Sequence, residues 1–347
     1  MSSKIAEALD IFLITYNRAQ KLERTLQQIL APNSPIKDFE IKIIDNNSTD
    51  NTSEIIKKYR INFPNLKYSK NKYNIGGNAN ITKAFEQSEK EFVWVLCDDD
   101  DYNWESWDDV VEGINDKEDC IIVGHCDNPK YNLVQTFAQT TFLPSGIYKT
   151  SNIDDQVIAN MYYNISNMFP HLALSAKLIN ENKSFKITNT PIVLFGGDDT
   201  MSIEKTYIRG NKKTEVHPFA ANNSYIAGYA NALMLIQNKK LRHKFAQNRK
   251  FYAIKATSIN FFIENSVRHS GSLYNMFCVF NVLSFWQKIH FIFNWILYNI
   301  FFRFIYIHTY ESYVDRTNTT QYICRLRLFK NLLKTNLYKI KIKNKEK

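Results

Sequence analysis

The chain has 347 residues, of which 44% are hydrophobic and 22% are charged, and its formal net charge is +10. These fractions are typical of a globular protein and exclude a chain that is disordered throughout. The length accommodates one full α/β domain and leaves about a hundred residues for a second element.

The charges are unevenly distributed, which indicates two functional parts. The segment Thr206–Lys347 holds 23 Lys and Arg against 5 Asp and Glu, so 21 basic and 29 acidic residues remain for positions 1–205. We predict one domain at residues 1–216 and a helical, basic, aromatic-rich region at residues 217–347. The basic residues of this region lie among long apolar runs, which favours a membrane surface over nucleic acid as its partner.

The cysteines and the N-terminus indicate the compartment. The five cysteines, Cys97, Cys120, Cys126, Cys278 and Cys324, show no close pairing typical of a metal knuckle or a redox motif. The first ten residues contain no apolar stretch of the kind found in a signal peptide. We therefore expect reduced cysteines and a cytoplasmic protein.

Apolar runs alternate with segments of helical periodicity over the first 124 residues. This β-α-β-α-β-α-β order predicts a Rossmann-like, mostly parallel sheet with helices on both faces. The predicted strands are 10–16, 39–44, 66–68, 92–97 and 120–124, and the predicted helices are 19–30, 53–60, 79–88 and one that starts at Trp104.

A polar cluster follows each of the first four predicted strands: Thr15–Arg18, Asp45–Asp50, Asn74–Asn78 and Asp98–Asp101. Ligands of open parallel sheets bind beyond the carboxyl ends of the strands, where these clusters would meet. Taken alone, each cluster could be a helix start, a turn or a flexible backbone position. Their order and spacing together predict an active site at this edge of the sheet.

The aspartate run at 98–101 directly follows the apolar strand Phe92–Cys97. Four adjacent carboxylates repel one another, so a cation at this strand end would stabilise them. The alternative is a solvated acidic turn in which Asp101 caps the following helix. Asn17 is expected to cap the helix over residues 19–30 in the same way.

Together, the segments TYNR, IIDNNSTDNT, NIGGNAN and WVLCDDDD in this order resemble the family-2 glycosyltransferases of the GT-A type. The resemblance covers Asp10–Tyr102 and fades after Gly146. It implies a GT-A-type fold and a metal-dependent, inverting glycosyltransferase of the hexosyltransferase kind. The donor would be a nucleotide sugar, with a UDP-sugar favoured. The acceptor would be a hydroxyl of a growing capsule, lipooligosaccharide or other surface glycan.

The resemblance also implies roles for individual residues. A DXD motif would hold Mn²⁺ or Mg²⁺ through Asp98 and Asp100, although the fourth aspartate leaves this register open by one position. Asp99 would point toward the ribose or would support the metal ligands without binding the ion itself. The donor-binding residues would be Thr15, Tyr16, Asn17, Arg18, Asp45, Asn47, Gly76, Gly77, Asn78 and Asp99.

The catalytic base is the part of the family pattern that this sequence does not match. Related enzymes have an acidic pair at a helix start well downstream of the DXD motif, where this chain has Pro170 and His171. His171 is a candidate base because a neutral imidazole suits pH 7, and it is equally an ordinary residue at a helix start. Asp155 is the second candidate, with the alternative that Asp154 and Asp155 are a charge pair at a helix N-terminus.

Two further features could belong to the site. His217 is a candidate third metal ligand, with a surface position as the alternative, and Thr200–Thr214 is expected to form a lid over the donor. There are also two rival functions on a similar sheet. One is a nucleotidyltransferase, which would need a basic, Gly-rich loop after the first strand, and the other is a non-catalytic nucleotide-sugar-binding protein.

The back half is expected to be helical at Ala221–Lys255 and aromatic from Tyr274 to Tyr310. Its most apolar stretch, His290–Ile307, is interrupted by two asparagines and an arginine, which indicates helices lying in a membrane interface. The basic tail Lys330–Lys347 would contact anionic headgroups. We therefore predict a peripheral protein at the inner face of the cell membrane. The alternative is a buried helical core or a contact between the protomers of a homo-oligomer.

Overall fold

The computed structural model describes residues 2–124, 137–165, 169–196, 225–248, 257–259, 261–262 and 273–302. The strands in these ranges are β1 (Leu9–Thr15), β2 (Ile41–Asp45), β3 (Leu66–Lys70), β4 (Phe92–Cys97), β5 (Asp101–Tyr102), β6 (Cys120–Ile122), β7 (Gly146–Lys149), β8 (Phe185–Ile187) and β9 (Val193–Leu194). The helices are α1 (Ser2–Ala8), α2 (Ala19–Ile29), α3 (Thr52–Asn62), α4 (Gly77–Glu86), α5 (Trp107–Asn115), α6 (Asp155–Tyr163), α7 (Leu172–Asn180), α8 (Tyr225–Met234), α9 (Lys239–Asn248), α10 (Leu273–Val282) and α11 (Phe285–Leu297).

Seven strands form one mixed sheet in the order β3-β2-β1-β4-β7-β6-β8. The pairs β1–β2, β1–β4, β2–β3 and β6–β8 are parallel, whereas β7 runs antiparallel to both β4 and β6. The predicted α/β class, a mostly parallel sheet flanked by helices, is confirmed. The sequence analysis did not predict β7, because a four-residue strand is too short to show strand periodicity.

Helices cover both faces of the sheet because successive residues of a strand point to opposite sides. On one face, Ile11 and Leu13 of β1 share a core with Leu22 of α2, together with residues of α3 and α5. On the other face, Phe12 of β1 shares a core with Phe85 of α4, together with residues of α6 and α7. Strands that are apolar on both faces are typical of a sheet covered on both sides.

The C-terminal helices pack against α7 and form a third hydrophobic core. In this core Leu172 of α7 joins Tyr229 of α8, Phe245 of α9 and Phe291 of α11. The predicted helical C-terminal region is therefore confirmed within the described residues.

The helix predicted at Ala221–Lys255 is wrong in its middle, because the structure has two helices there, α8 and α9. Asn238 starts the second one: its Oδ1 accepts the backbone N–H of Leu241 at 3.1 Å, which is an N-cap bond. Arg242 Nη2 donates to the carbonyl oxygen of Ile236 at 2.6 Å in the connecting segment. These side chains satisfy backbone groups that a continuous helix would have paired internally.

Parts of the sequence analysis concern residues outside the described ranges, and they stay predictions. They are the domain boundary at residue 216, His217, the lid at Thr200–Thr214, Cys126, Cys324 and the basic tail Lys330–Lys347. In the part of the chain that the structure describes, no helix has both the length and the hydropathy to cross a membrane.

One carboxylate, that of Asp50, joins the first turns of α2 and α3. Its Oδ2 accepts the N–H of Ala19 at 3.0 Å, and its Oδ1 accepts the N–H of Thr52 at 3.1 Å. Burial raises the pKa of Asp50, but these hydrogen bonds hold it below its usual value. Asn17, which we expected to cap α2, instead accepts the N–H of Thr49 at 2.7 Å. That prediction is wrong because the cap comes from another loop.

We expect Asp50→Ala to lower the free energy of unfolding by about 1–2 kcal/mol, because it removes terminal hydrogen bonds of two helices. Urea unfolding followed by far-ultraviolet circular dichroism measures this change. Asp38→Ala is the matched control, since Asp38 is exposed in a loop. Equal unfolding midpoints for the two variants would contradict the shared cap.

Candidate functional site

The pairing of β1, β2, β3 and β4 places their carboxyl ends side by side. Thr15 lies opposite Asp45, and Asp45 lies opposite Lys70. Ile14 lies opposite Cys97, which directly precedes the aspartate run. The four polar clusters predicted from the sequence therefore meet at one edge of the sheet, which we call the carboxyl edge.

Asp98 is held by the protein through both of its carboxylate oxygens. The hydroxyl of Thr15 donates to Oδ2 at 2.6 Å, and Arg18 Nη1 pairs with Oδ1 at 3.1 Å. Burial raises the pKa of Asp98 to about 6, and the charge of Arg18 and the bond from Thr15 limit that rise. Thr15 and Arg18, which were both predicted at the site, therefore lie there and act on the aspartate run.

One face of α2 presents positive charge to the aspartate run. Arg18 Nη1 pairs with Asp99 Oδ2 at 2.8 Å, and Lys21 Nζ lies 3.6 Å from the same oxygen. Arg24 Nη2 lies 3.1 Å from Asp101 Oδ1 and donates to the carbonyl oxygen of Asp99 at 3.0 Å. Opposite charges at these distances stabilise carboxylates that would otherwise repel one another.

Gln28, further along the same face of α2, fixes the backbone of the run. Its Nε2 donates to Asp101 Oδ1 at 3.0 Å, and its Oε1 accepts the N–H of Tyr102 at 3.0 Å. The sequence analysis missed Lys21, Arg24 and Gln28. Residues three or four apart share a helix face, so their spacing could have identified them once β1 was known to pair with β4.

Asp100 is buried and has an oxygen without a partner. Its Oδ1 accepts the N–H of Gly196 at 3.4 Å, while its Oδ2 has no hydrogen-bond partner among the described residues. Burial, together with the charges of Asp99 and Asp98, raises the pKa of Asp100 to about 7. A buried carboxylate that lacks a partner destabilises the fold, and a cation beside it would remove that penalty.

A divalent ion at the carboxyl edge would bind the carboxylate of Asp100 more readily than that of Asp98. No group of three or more His, Cys, Asp or Glu within the described ranges is arranged to hold a metal ion. Magnesium sites commonly use one or two carboxylates, with substrate phosphates and water as the other ligands. Asp100 can supply its unpartnered oxygen, whereas Asp98 would first exchange a bond to Arg18 or Thr15. The assignment of Asp98 and Asp100 as metal ligands stays a prediction.

Gly196 allows a close approach between the chain and the aspartate run. A Cβ at this position would lie 1.7 Å from the carbonyl oxygen of Asp99, so a larger residue would force a backbone shift. Strand β9 brings Gly196 there, because Leu194 pairs with Asp101 of β5. The short β5–β9 ribbon therefore holds the run in addition to α2.

Asp45, which was predicted to contact the base or ribose of a donor, is fully buried and bonded within the protein. Its Oδ1 accepts the N–H of Ser48 at 2.8 Å, and its Oδ2 accepts the hydroxyl of Tyr68 at 2.9 Å. The observed role of Asp45 is to shape the loop after β2. Asn47 in that loop and Asn17 after β1 have φ values of 69° and 49°, which asparagine tolerates better than most residues.

A network of asparagines ties the loops after β2 and β3 to α4. Asn46 Nδ2 donates to Asn74 Oδ1 at 2.7 Å, and Asn71 Nδ2 donates to Asn46 Oδ1 at 3.0 Å. Asn71 Nδ2 also lies 2.9 Å from Asn80 Oδ1 of α4, and Lys83 Nζ donates to Asn71 Oδ1 at 2.7 Å. These bonds join buried and half-buried side chains, and they fix the loops after β2 and β3 that border the carboxyl edge.

Two glycines, Gly76 just before α4 and Gly77 at its first position, form an open N-terminus of this helix. Gly76 has a φ of 87°, which other residues rarely adopt. A Cβ on Gly77 would meet no atom within 4 Å. Asn78 in the first turn donates to the carbonyl oxygen of Ile165 at 2.8 Å, and Tyr16 after β1 is half-buried. An open helix N-terminus is suited to an anionic group such as a phosphate.

His171 lies in the interior, immediately before α7, and only 2% of it is exposed. Its Nε2 lies 2.9 Å from the carbonyl oxygen of Thr140, so this nitrogen carries the proton and donates. Burial lowers the pKa of His171 to about 4, which leaves the ring neutral at pH 7. A substrate hydroxyl could not reach the ring without a rearrangement. The geometry favours the packing role, and a role as catalytic base stays a prediction.

The segment that leads into Asp155 contacts the residues before the amino end of β4, whereas the aspartate run follows the carboxyl end of that strand. Thr150 Oγ1 donates to the carbonyl oxygen of Lys90 at 2.7 Å, just before β4, and Asp155 begins α6 shortly after Thr150. Asp154 accepts the N–H of Val157 at 2.8 Å and caps this helix. The structure places Asp154 and Asp155 at a helix start, as in the alternative reading, and a role of Asp155 as catalytic base stays a prediction.

The sequence matches a known family over the residues that build this edge. The family model "Glycosyl transferase family 2" matches residues 10–180. That range contains all four polar clusters and both candidate bases.

Curated relatives match parts of the chain. Poly(ribitol-phosphate) beta-N-acetylglucosaminyltransferase TarS of Staphylococcus aureus is 29% identical over 164 residues, which are 43% of this chain and 28% of TarS. GalNAc(5)-diNAcBac-PP-undecaprenol beta-1,3-glucosyltransferase of Campylobacter jejuni is 34% identical over 94 residues, 27% of this chain and 30% of that protein. The chain therefore spans less than a third of either relative. A crystal structure of S. aureus TarS in complex with UDP-GlcNAc has a TM-score of 0.47 at 19% identity, and the match covers 83% of this chain and 89% of that one.

We expect Gln28→Ala to weaken Mn²⁺ binding about tenfold, because Gln28 donates to the backbone carbonyl of Asp100 and so positions a proposed metal ligand. Groups that position metal ligands commonly affect affinity on this scale. Titration with Mn²⁺ alone, followed by electron paramagnetic resonance, measures the affinity. Gln27→Ala is the matched control, since Gln27 is the exposed neighbour on the same helix. Equal Mn²⁺ affinities for the two variants would show that Gln28 does not position the run.

We expect Asp100→Asn to raise the thermal midpoint of the metal-free protein, and to raise it more at pH 8 than at pH 5. The folded-state pKa of Asp100 is raised to about 7. Its ionisation therefore destabilises the fold progressively as the pH rises from about 4 to about 7, and the full penalty is present above that window. Asparagine removes the ionisation.

The matched control for this substitution is Asp116→Asn, because Asp116 is exposed at the end of α5. Differential scanning fluorimetry with a chelator provides the measurement. A midpoint difference between Asp100→Asn and wild type that does not change with pH would argue against an ionised, unpaired Asp100.

Proposed function

Since residues 10–180 belong to glycosyl transferase family 2, we propose that this protein transfers a sugar from a nucleotide-sugar donor to a hydroxyl of a growing surface glycan. The observation that carries the proposal is the buried Oδ2 of Asp100, which has no hydrogen-bond partner in the described part of the chain and lies at the edge where four polar loops meet. A donor diphosphate bound with a divalent ion would bring the positive charge that this carboxylate lacks.

The cofactor in this proposal is Mn²⁺ or Mg²⁺. Asp100 would hold the ion through Oδ2, and Asp98 would contribute after it exchanges its bond to Arg18. When bound, such an ion stabilises the negative charge that develops on a leaving diphosphate.

The basic face of α2 would bind the donor phosphates. The side chains of Arg18 and Lys21 are 27% and 26% exposed, so a diphosphate can reach them while they still contact Asp99. Arginine presents a fixed charge and a planar fork of donors, which suits phosphate oxygens. The open backbone at Gly77 would add N–H groups from the start of α4. The donor base would lie against the half-buried ring of Tyr16, which offers a stacking face.

A UDP-sugar is the donor that we favour, and we propose an inverting reaction. The two relatives described above are named as an N-acetylglucosaminyltransferase and a glucosyltransferase, and both names specify a β product. Formation of a β linkage from an α-linked nucleotide sugar requires inversion at the anomeric carbon. Such a displacement needs one base for the acceptor hydroxyl.

We propose that the acceptor is a lipid-linked or polymeric surface glycan, and that the enzyme is peripheral at the inner face of the cell membrane. The names of the same relatives specify poly(ribitol-phosphate) and an undecaprenol-linked saccharide. The exposed aromatic side chains of α10 and α11 support a position at a membrane surface.

The proposed function is tested with the double variant Asp98→Ala/Asp100→Ala. Thermal shift with a panel of nucleotide sugars, with and without Mn²⁺, identifies the donor, and release of nucleoside diphosphate measures turnover. We expect the double variant to lose the Mn²⁺-dependent stabilisation by donor and to lose turnover by about a hundredfold or more, because charge stabilisation of the leaving group is lost.

The matched control is Asp108→Ala/Asp116→Ala, since both residues are exposed on or at the end of α5. It should behave as wild type. Turnover that persists in Asp98→Ala/Asp100→Ala would refute the metal site. Donor binding by wild type without transfer or hydrolysis would instead indicate a non-catalytic binding protein, and pyrophosphate release from a nucleoside triphosphate would indicate a nucleotidyltransferase.

A further inference from the structure

The C-terminal helices expose an unusual amount of apolar surface. Seventeen large hydrophobic side chains are exposed in the described residues, and eleven of them lie between Leu273 and Ile300. On α11 alone the exposed fractions run from 42% to 76%. The exposed residues of α11 are Phe285, Trp286, Ile289, Ile292, Phe293, Trp295 and Ile296.

Helix α11 differs from an ordinary surface helix because its exposed side is apolar. Phe291, Asn294 and Tyr298 form the buried face of α11 and its continuation, and they recur at intervals of three and four residues. Asn294 Nδ2 donates to the carbonyl oxygen of Thr257 at 2.7 Å, so a polar group faces the protein. The apolar arc faces outward and spans about half of the helix circumference at 100° per residue.

We propose that this outward arc of α11, together with Phe277 of α10, is the face by which the protein binds an anionic lipid bilayer. The buried face anchors α11 to the C-terminal core, so only its outer half is available to lipid. The helix would therefore lie along the bilayer surface and insert its outer side chains. Tryptophan and phenylalanine are the residues typical of such interfacial helices.

The charge of the sequence that contains and follows α11 indicates which occupant the face takes. The sequence contains no Asp or Glu between Glu264 and Glu311, and residues 303–347 carry 11 basic and 3 acidic residues. Anionic headgroups attract basic segments that adjoin a membrane-bound helix in the sequence. A second copy of the chain would bring two strongly basic regions together, and their repulsion disfavours self-association through this face.

This inference specifies the binding face for the proposed membrane position and is independent of the transfer chemistry. Failure of the two proposals is distinguishable, because donor and Mn²⁺ binding at the carboxyl edge can be measured on the same variants without lipid.

The test is sedimentation of the full-length protein with vesicles of phosphatidylcholine, with or without phosphatidylglycerol. We expect wild type to bind the anionic vesicles, with a blue shift of its tryptophan emission as Trp286 and Trp295 leave water. The double variant Trp286→Ala/Phe293→Ala should bind about tenfold more weakly or worse, because it loses much of the inserted apolar area.

The matched control is Ile61→Ala/Tyr163→Ala, since these side chains are 81% and 86% exposed but lie on α3 and α6. It should bind vesicles as wild type does, and all variants should keep the wild-type thermal midpoint. Undiminished vesicle binding by Trp286→Ala/Phe293→Ala would overturn the proposal and assign attachment to the basic residues alone. A lipid-free dimer of wild type that this variant dissociates, seen by light scattering, would also overturn it and assign the face to a second copy.

Discussion

The constraint on which this structure depends is the placement of four adjacent carboxylates at the end of a buried strand. Such a run is stable only where positive charge and hydrogen-bond donors surround it. Because β1 lies beside β4, the first turns of α2 face the run, and Arg18, Lys21 and Arg24 supply that charge. The negative charge of the run is not fully compensated. Among the described residues, no group pairs with the buried Oδ2 of Asp100.

The uncompensated negative charge of the aspartate run links the fold to the chemistry that we propose. Asp98, Asp99 and Asp101 are each paired with a cation, so they complete the structure without a ligand. Within the described ranges, the one hydrogen bond to the Asp100 carboxylate is a long one from Gly196. A buried polar group without a partner in a folded protein is commonly explained by a functional role or by a bound ion. In the proposed donor complex the divalent ion would supply the positive charge, and the polar loops of the neighbouring strands surround the same edge.

The two halves of the chain differ in the side chains that they expose to solvent. The first half buries apolar strands on both faces and gathers its polar groups at one edge. The helices of the second half bury one face and leave aromatic side chains outside, within a strongly basic sequence. This division agrees with the function that we propose. The acidic half would bind the soluble, charged donor, and the basic, apolar half would lie at the membrane that carries the acceptor.

The sequence by itself determined where the first four strands lie along the chain and which polar residues follow each of them. It also determined the resemblance to family-2 glycosyltransferases, and the family match over residues 10–180 confirms that resemblance. These features are local, because periodicity and strand-end composition can be read within a few residues. The clusters met as expected because parallel strands align their carboxyl ends.

Only the tertiary structure decided which groups surround each carboxylate, because such contacts depend on which strands become neighbours. Asp50 caps α2 from 31 residues away, and Gly196 reaches Asp100 from 96 residues away, distances over which no sequence pattern acts. The burial of His171 and the contact between Thr150 and Lys90, just before β4, have the same origin. The sequence identified the residue types that the chemistry needs, and packing determined which of them are free to act.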